Sequence, residues 1–256
     1  MSVLVTGASR GIGKAICARL ILQGDVVGVY RDNHAAASAL SDELAGSAHS
    51  LSLLACDLVD PAARDQLPRR LGALEQRLSG VVLNAGVARY APFAGDASRP
   101  GEGALSDAAT RLDPLLEELR SNLEAPLALL QTLLRSELIL DGASLVFISS
   151  NLARHALAGH VGYASAKAGL EAAVKQLCAE LAPRGIRVNA VAPGLIRTDM
   201  TSHMSEAELA RYALEVPLGR AGVPEDVARC VAFFLSEQSA YVSGQVLDVD
   251  GGWGSR

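Results

Sequence analysis

Short apolar runs alternate with longer stretches in which apolar residues return at helical spacing, and the alternation continues along the whole chain. The short runs end near Thr6, Tyr30, Cys56, Asn84, Ser150, Ala192 and Val249. Runs such as Val26-Val27-Gly28-Val29-Tyr30 and Ser144-Leu145-Val146-Phe147-Ile148 are near-continuously apolar, the pattern of strands covered on both faces. The periodic stretches predict helices at about 12–24, 33–46, 61–78, 113–139, 161–183 and 224–236. Strands that alternate with helices predict an α/β fold, a doubly wound sheet of about seven parallel strands flanked by helices. No internal repeat or linker interrupts the pattern, so residues 1–256 read as a single domain.

Composition narrows the possibilities. Half of the 256 residues are hydrophobic and only 4% are aromatic, so the core is built of Ala, Val, Leu and Ile. The formal net charge is −5 with no long basic run, which argues against nucleic acid as a partner. No apolar stretch reaches the roughly 18–20 residues that cross a bilayer, so no membrane partner is expected. The first strand starts by about residue 2, leaving no room for a signal peptide, and a cytoplasmic location is the expectation. Cys17, Cys56, Cys178 and Cys230 show no C-x-x-C spacing, and His34, His49, His155, His160 and His203 show no ligand spacing, so no metal is expected. His155 and His160 lie between Ser150 and Tyr163, where they could line a site.

The chemistry concentrates at strand ends. Ser2–Val5 is followed by Thr6-Gly7-Ala8-Ser9-Arg10-Gly11-Ile12-Gly13 and then by a helical stretch from Lys14. Strand, glycine-rich turn and helix in that order form a dinucleotide-binding context of Rossmann type. Glycines let a phosphate come close, and the helix start offers free N–H groups and a positive dipole end. Asn84-Ala85-Gly86 ends another buried strand, where Asn84 is either a ligand-facing residue or a plain turn former. Ser150 ends a third and is either a cap or a hydroxyl aimed at substrate. Tyr163 and Lys167 stand four apart, on one face of a predicted helix. A cation beside a phenol lowers its pKa, and a phenol tuned toward neutrality can exchange a proton with a substrate oxygen.

Taken together, the chain resembles the short-chain dehydrogenase/reductase family over essentially its whole length. The resemblance rests on TGASRGIG at Thr6–Gly13, CDL at Cys56–Leu58, NAG at Asn84–Gly86, Asn122, ISS at Ile148–Ser150, YASAK at Tyr163–Lys167 and PGLIRTDM at Pro193–Met200. It is nearest in style to 3-oxoacyl-[acyl-carrier-protein] reductases, through Pro217–Ala228 and Ser243–Gly252. The resemblance implies an oxidoreductase that reduces a ketone, either a 3-oxoacyl thioester or a related secondary-metabolic ketone. Tyr163 would be the proton donor, Lys167 would lower its pKa, Ser150 would bind the substrate oxygen and Asn122 would hold a relay water. Oxidation of a secondary alcohol or sugar is the alternative, and a non-catalytic NADP-binding sensor is the reading from another class. The resemblance also implies a homotetramer or homodimer. A lid at about 198–216 would carry Met200, Met204, Leu209, Tyr212 and Leu214 to cover the ligand, with His203 nearby. Residues Ser136–Asp141 and Ala179 lack the basic side chains that docking an acyl carrier needs.

The cofactor would lie across Gly7, Ser9, Arg10, Gly11, Ile12 and Gly13, with Asp57 and Leu58 at the adenine and Asn84, Ala85 and Gly86 along the ribose. Tyr163, Lys167, Pro193, Gly194, Ile196 and Thr198 would surround the nicotinamide. At the end of the second strand, Arg31 together with Arg10 suits a 2′-phosphate, which favours NADP(H). Asp32 would favour NAD(H) if the strand ran one residue further. A loop at about 88–110, rich in Gly, Ala, Pro, Ser and Asp, either borders the substrate entrance or is a solvated insertion.

Overall fold

The computed structural model describes residues 2–74, 77–93 and 108–255. Seven strands form one parallel sheet: β1 (Ser2–Thr6), β2 (Asp25–Tyr30), β3 (Leu51–Ala55), β4 (Leu78–Leu83), β5 (Ile139–Ile148), β6 (Arg187–Pro193) and β7 (Val246–Val249). Their order in the sheet is β3-β2-β1-β4-β5-β6-β7. The crossovers run one way from β1 and the other way from β4. These two strands are neighbours, so a crevice opens above their carboxyl ends.

The helices are α1 (Gly11–Leu20), α2 (His34–Leu44), α3 (Pro61–Ala73), α4 (Ala108–Leu119), α5 (Ala125–Arg135), α6 (Val161–Leu181), α7 (Glu206–Glu215) and α8 (Pro224–Leu235). They cover both faces of the sheet, and the strands divide their side chains between them. Leu4, Val81, Leu145 and Phe147 join Leu67, Leu71, Leu129, Leu133 and Leu170 in one core. Val5, Val82, Val146 and Ile148 join Ile16, Leu20, Val227, Val231 and Phe234 in the other. Successive strand residues point to opposite faces, which explains why the apolar runs show no polar alternation. No helix among the described residues is long and apolar enough to cross a membrane.

Three of the expected helices have different ends from the sequence expectation. Helix α1 stops at Leu20, whose carbonyl accepts the amides of Gln23 and Gly24 in a turn into β2. Helix α3 stops at Ala73, because Leu78 opens β4. The expected helix at 113–139 starts earlier, at Ala108, and ends at Arg135, because Ile139 pairs with Leu78 as the start of β5. A π-helical turn, Arg120–Glu124, divides it. Pro126 is a reason for that division: it has no N–H to close the α-turn on the Asn122 carbonyl. Residues 94–107 of the expected long loop lie outside the described residues. Its base runs beside the β5–α6 connection, where the Ala91 amide donates to the Gly159 carbonyl.

The glycine turn after β1 has no room for a larger residue. A Cβ on Gly13 would overlap the Gly7 carbonyl and stand 2.7 Å from Asn84 Nδ2. The obstacle is backbone, which cannot swing aside. Gly13→Ala is therefore expected to lower the unfolding free energy by about 1–3 kcal/mol, read from urea denaturation midpoints.

Candidate active site

The carboxyl ends of β1 and β4 are tied together before any ligand arrives. Thr6 Oγ1 accepts the amides of Asn84 and Ala85, each at 2.9 Å. Asn84 Nδ2 donates back to the carbonyls of Thr6 and Gly7, at 2.9 and 3.3 Å. The Asn84 side chain thus shapes the glycine turn. The lock depends on Thr6, which in sequence opens the glycine-rich turn and shows no sign of this hydrogen-bonding role.

Gly7 and Gly11 have φ of +66 and +53, the left-handed region where a side chain is strained. Helix α1 starts at Gly11 with no acidic residue in its first turn, and Arg10 at its N-cap makes no side-chain bond to the helix amides. Those amides remain donors for an anion. A Cβ on Gly11 would meet the Thr198 side chain, at 3.4 Å from Cγ2 and 3.5 Å from Cβ, so the turn faces the segment after β6 across a narrow gap. This bare, glycine-built cradle fits a dinucleotide pyrophosphate. Ser9 and Ile12 are partly buried within it, and Arg10 is exposed at its rim. Arg31 is exposed beside β2 and bonds through Nε to Asp32 Oδ2 at 2.9 Å, so the two candidates for the adenosine ribose neutralise each other here.

Two of the expected cofactor neighbours turn their side chains inward. Leu58 turns its side chain into the core at 8% exposure, leaving Asp57 as the outward residue of that pair. Asp57 accepts the Val59 amide at 2.9 Å. Ile196 is also buried, and its carbonyl already accepts Thr201 Oγ1 at 2.9 Å. Pro193 ends β6, and Gly194 follows with its amide on the Val249 carbonyl. Of the expected covering residues, Leu209 packs inward and Leu214 faces solvent at 84% exposure. His203 is exposed.

The exit of β5 and helix α6 carry three of the four catalytic candidates, and the π turn carries the fourth. Ser150 leaves β5 and caps a short turn, its Oγ accepting the Leu152 amide at 3.2 Å, so the cap reading and the site reading both apply. Tyr163 and Lys167 share a face of α6, with Lys167 Nζ 5.5 Å from the tyrosine ring centroid. That ammonium donates to the Ile148 carbonyl at 2.8 Å and is almost wholly buried. Asn122, on the π turn, has its side chain fully engaged. Oδ1 accepts the Val87 amide at 3.1 Å, and Nδ2 donates to the carbonyls of Val87 and Glu118 at 2.7 and 2.9 Å. Gly86 makes the meeting possible, since a Cβ there would overlap Asn122 Oδ1 and stand 3.6 Å from Lys167 Nζ.

The electrostatics differ from the expectation of a phenol acidified by its neighbour. Burial is the largest influence on Tyr163 and raises its pKa above 10.0, although the ring keeps some exposed surface. A hydrogen bond from Ser150 pulls it back down, and the charge of Glu118 adds to the rise. The cation over the ring is not among these causes. Lys167 is itself pushed down to about 8 by burial, so near that pH it holds its proton weakly. Burial also lowers the pKa of His160, which meets Tyr90 edge-on at 6.1 Å. His155 instead faces Trp253.

Comparison with known proteins gives a consistent picture. The family described as Enoyl-(Acyl carrier protein) reductase matches residues 7–254. The uncharacterized oxidoreductase YmfI of Bacillus subtilis is 33% identical over 254 residues, covering 98% of each chain. The 3-oxoacyl-[acyl-carrier-protein] reductase FabG of Aquifex aeolicus is 34% identical, over 97% of this chain and 95% of its own. Among solved structures, a short-chain dehydrogenase/reductase from Serratia marcescens aligns with a TM-score of 0.86 at 29% identity, over 99% of this chain and 97% of its own. A putative NAD(P) dependent gluconate 5-dehydrogenase from Beutenbergia cavernae, with NADP bound at low occupancy, aligns at 0.83 and 30% identity, over 100% and 97%.

The Lys167 environment makes a testable demand. A lysine with its pKa depressed to about 8 in the fold and near 10.5 when unfolded disfavours its charged form in the fold. Between those values the unfolded chain binds more protons, so this group makes stability rise with pH. The rise should be present in the wild type and absent in Lys167→Met, measured as urea midpoints from pH 7 to pH 10. Parallel curves for the two proteins would contradict the burial argument.

Proposed function

This chain belongs to the short-chain dehydrogenase/reductase family, close to the 3-oxoacyl-[acyl-carrier-protein] reductases, and from that premise we propose that it is an NADPH-dependent ketoreductase. Its substrate would be a 3-oxoacyl thioester or a related ketone, reduced to a secondary alcohol. The observation that carries this reading is the grouping of Ser150, Tyr163 and Lys167 at the carboxyl end of β5. There a hydroxyl leaves the strand beside a helix face on which a phenol ring lies under an ammonium.

A reduced nicotinamide, when bound, supplies the hydride. The residues of the chain do the rest. Ser150 donates to the ketone oxygen, where negative charge grows, and Tyr163 delivers the proton to that oxygen. A pKa raised by burial keeps Tyr163 protonated and ready as an acid at neutral pH. Lys167 orients the phenol, holds the cofactor ribose and, with its weakened hold on a proton, resupplies the tyrosine. Asn122 serves this relay through its backbone carbonyl, because its side chain is spent on Val87 and Glu118 and Pro126 cannot bond that carbonyl in an α-turn. Thr198 and the backbone around Ile196 border the nicotinamide, and residues 198–216 form the lid. Arg31 and Arg10 accept a 2′-phosphate, with Asp32 released from Arg31 as the phosphate takes its place.

The same residues run in reverse for oxidation of a secondary alcohol or sugar, the direction named for the Beutenbergia protein. The protein would self-associate as a homotetramer, with α4–α5 and α6 meeting a second copy. Strand β7 also lies free at the sheet edge, with Leu247 at 38% exposure.

Two measurements test the reading. Tyr163→Phe keeps the shape of the site and should reduce ketone turnover with NADPH by about 10²–10⁴-fold while NADPH still binds. Near-normal turnover would remove tyrosine from the chemistry, and a wild type that binds NADPH yet reduces no ketone would favour a sensor. Arg31→Ala should cut the preference for NADPH over NADH in kcat/KM by about 10–100-fold, the loss of a charge-assisted phosphate contact. A preference for NADH in the wild type would assign the site to Asp32.

A further inference from the structure

We propose that Trp253 is the positioning residue that holds the lid helix α7 against the β5–α6 connection and so fixes the outer end of the ketone cleft. The inference rests on the ketoreductase reading for its substrate, though not for its geometry. Trp253 is the only tryptophan in the chain. It stands on the tail after β7, which turns back over the carboxyl edge of the sheet. Gly251 and Gly252, at φ +68 and +87, provide the bend. The Asp250 carboxylate accepts the amides of Gly252 and Gly254, at 2.9 and 2.8 Å, and holds it.

The indole then touches both walls of the gap. It stacks on Tyr212 of α7, with ring centres 6.4 Å apart and planes at 26°. It meets His155 edge-on at 5.5 Å and 81°. Its Nε1 donates to Glu215 Oε2, also on α7, at 3.4 Å. His155 belongs to the connection that starts at Ser150, and its amide donates to the Asn151 carbonyl. Tyr212 accepts the Leu195 amide on its hydroxyl at 3.2 Å, which ties α7 to the exit of β6. The Leu218 amide, beyond α7, bonds the Gly251 carbonyl of the tail.

Sheet order explains why one residue can do this. Strands β5, β6 and β7 lie side by side, so a tail leaving β7 must pass over the exit of β6, where the lid begins, to reach the loop after β5. Gly194 permits the passage, since a Cβ there would stand 2.8 Å from Asp250 Cβ and 3.1 Å from the Tyr212 hydroxyl. The lid helix cannot swing outward without breaking the indole stack.

The test uses the full-length protein with Trp253→Ala, Trp253→Phe and His155→Ala. Losing the aromatic contacts in Trp253→Ala should raise the ketone KM by about tenfold. The Kd for NADPH and kcat should stay within about threefold, the split expected when substrate positioning alone is lost. Trp253→Phe keeps a ring on Tyr212 and should recover most of the affinity, with His155→Ala intermediate. Trypsin cleavage after Arg211, within α7, should accelerate in Trp253→Ala by a similar factor while cleavage after Arg184, outside the lid, stays constant. Unchanged KM with unchanged Arg211 cleavage overturns the proposal. So does equal acceleration at both sites, which would mark a purely structural tail. If the wild type reduces no ketone the ketoreductase reading falls, and the Arg211 rates still decide whether Trp253 holds the lid. If Trp253→Ala does not fold, cleavage after Arg211 in His155→Ala, faster or unchanged, decides instead.

Discussion

The site is organised by a buried ammonium with a carbonyl for a partner. Lys167 reaches from α6 to the Ile148 carbonyl at the end of β5, and that bond holds the helix carrying Tyr163 over the strand that leads into Ser150. Burying a lysine is costly, and the cost appears as a pKa pushed down to about 8. A helix that only needed to cover the sheet would place a leucine there, as it does one turn on at Leu170. The lysine accepts that cost at a point where the proposed reaction would need a movable proton, an exchange of stability for function.

Close approach is the second constraint. Gly7, Gly11 and Gly13 let a helix start within reach of a strand end, and Gly86 lets Asn122 and Lys167 converge on one point. Gly194 does the same for the tail. At each of these positions except Gly11 a Cβ would meet backbone or a buried polar group that the site uses, so the positions accept little else. At Gly11 the requirement is the left-handed backbone itself.

The π turn at Arg120–Glu124 joins the two constraints. It places Asn122 where its amide can clamp Val87, just past β4, and it coincides with a proline that leaves the Asn122 carbonyl without its α-helical donor. Glu118, one turn earlier, adds a buried carboxylate that accepts the Arg89 amide at 2.8 Å. The β4 exit is therefore held from α4 and the π turn, and the base of the long loop rests against Gly159 and His160 on the other side.

By itself, the order of apolar runs and periodic stretches determined the parallel sheet, because strands buried on both faces leave a continuous apolar signature. The glycine turn and the Tyr163–Lys167 spacing were likewise legible, since each is local: a strand, a turn and one helix face. Pro126, four residues after Asn122, was a visible sign of the broken α-helix that periodicity alone passes over. The helix ends near Leu78 and Ile139 were not legible, because those apolar residues fit either period until pairing between distant strands chose one. Tertiary structure alone decided that Thr6 locks Asn84, that Leu58 turns inward, that burial rather than the neighbouring cation sets the direction of the Tyr163 shift, and that Trp253 reaches His155 and Tyr212. Each depends on groups far apart in the chain and on how much water surrounds them, and neither spacing nor composition carries that information.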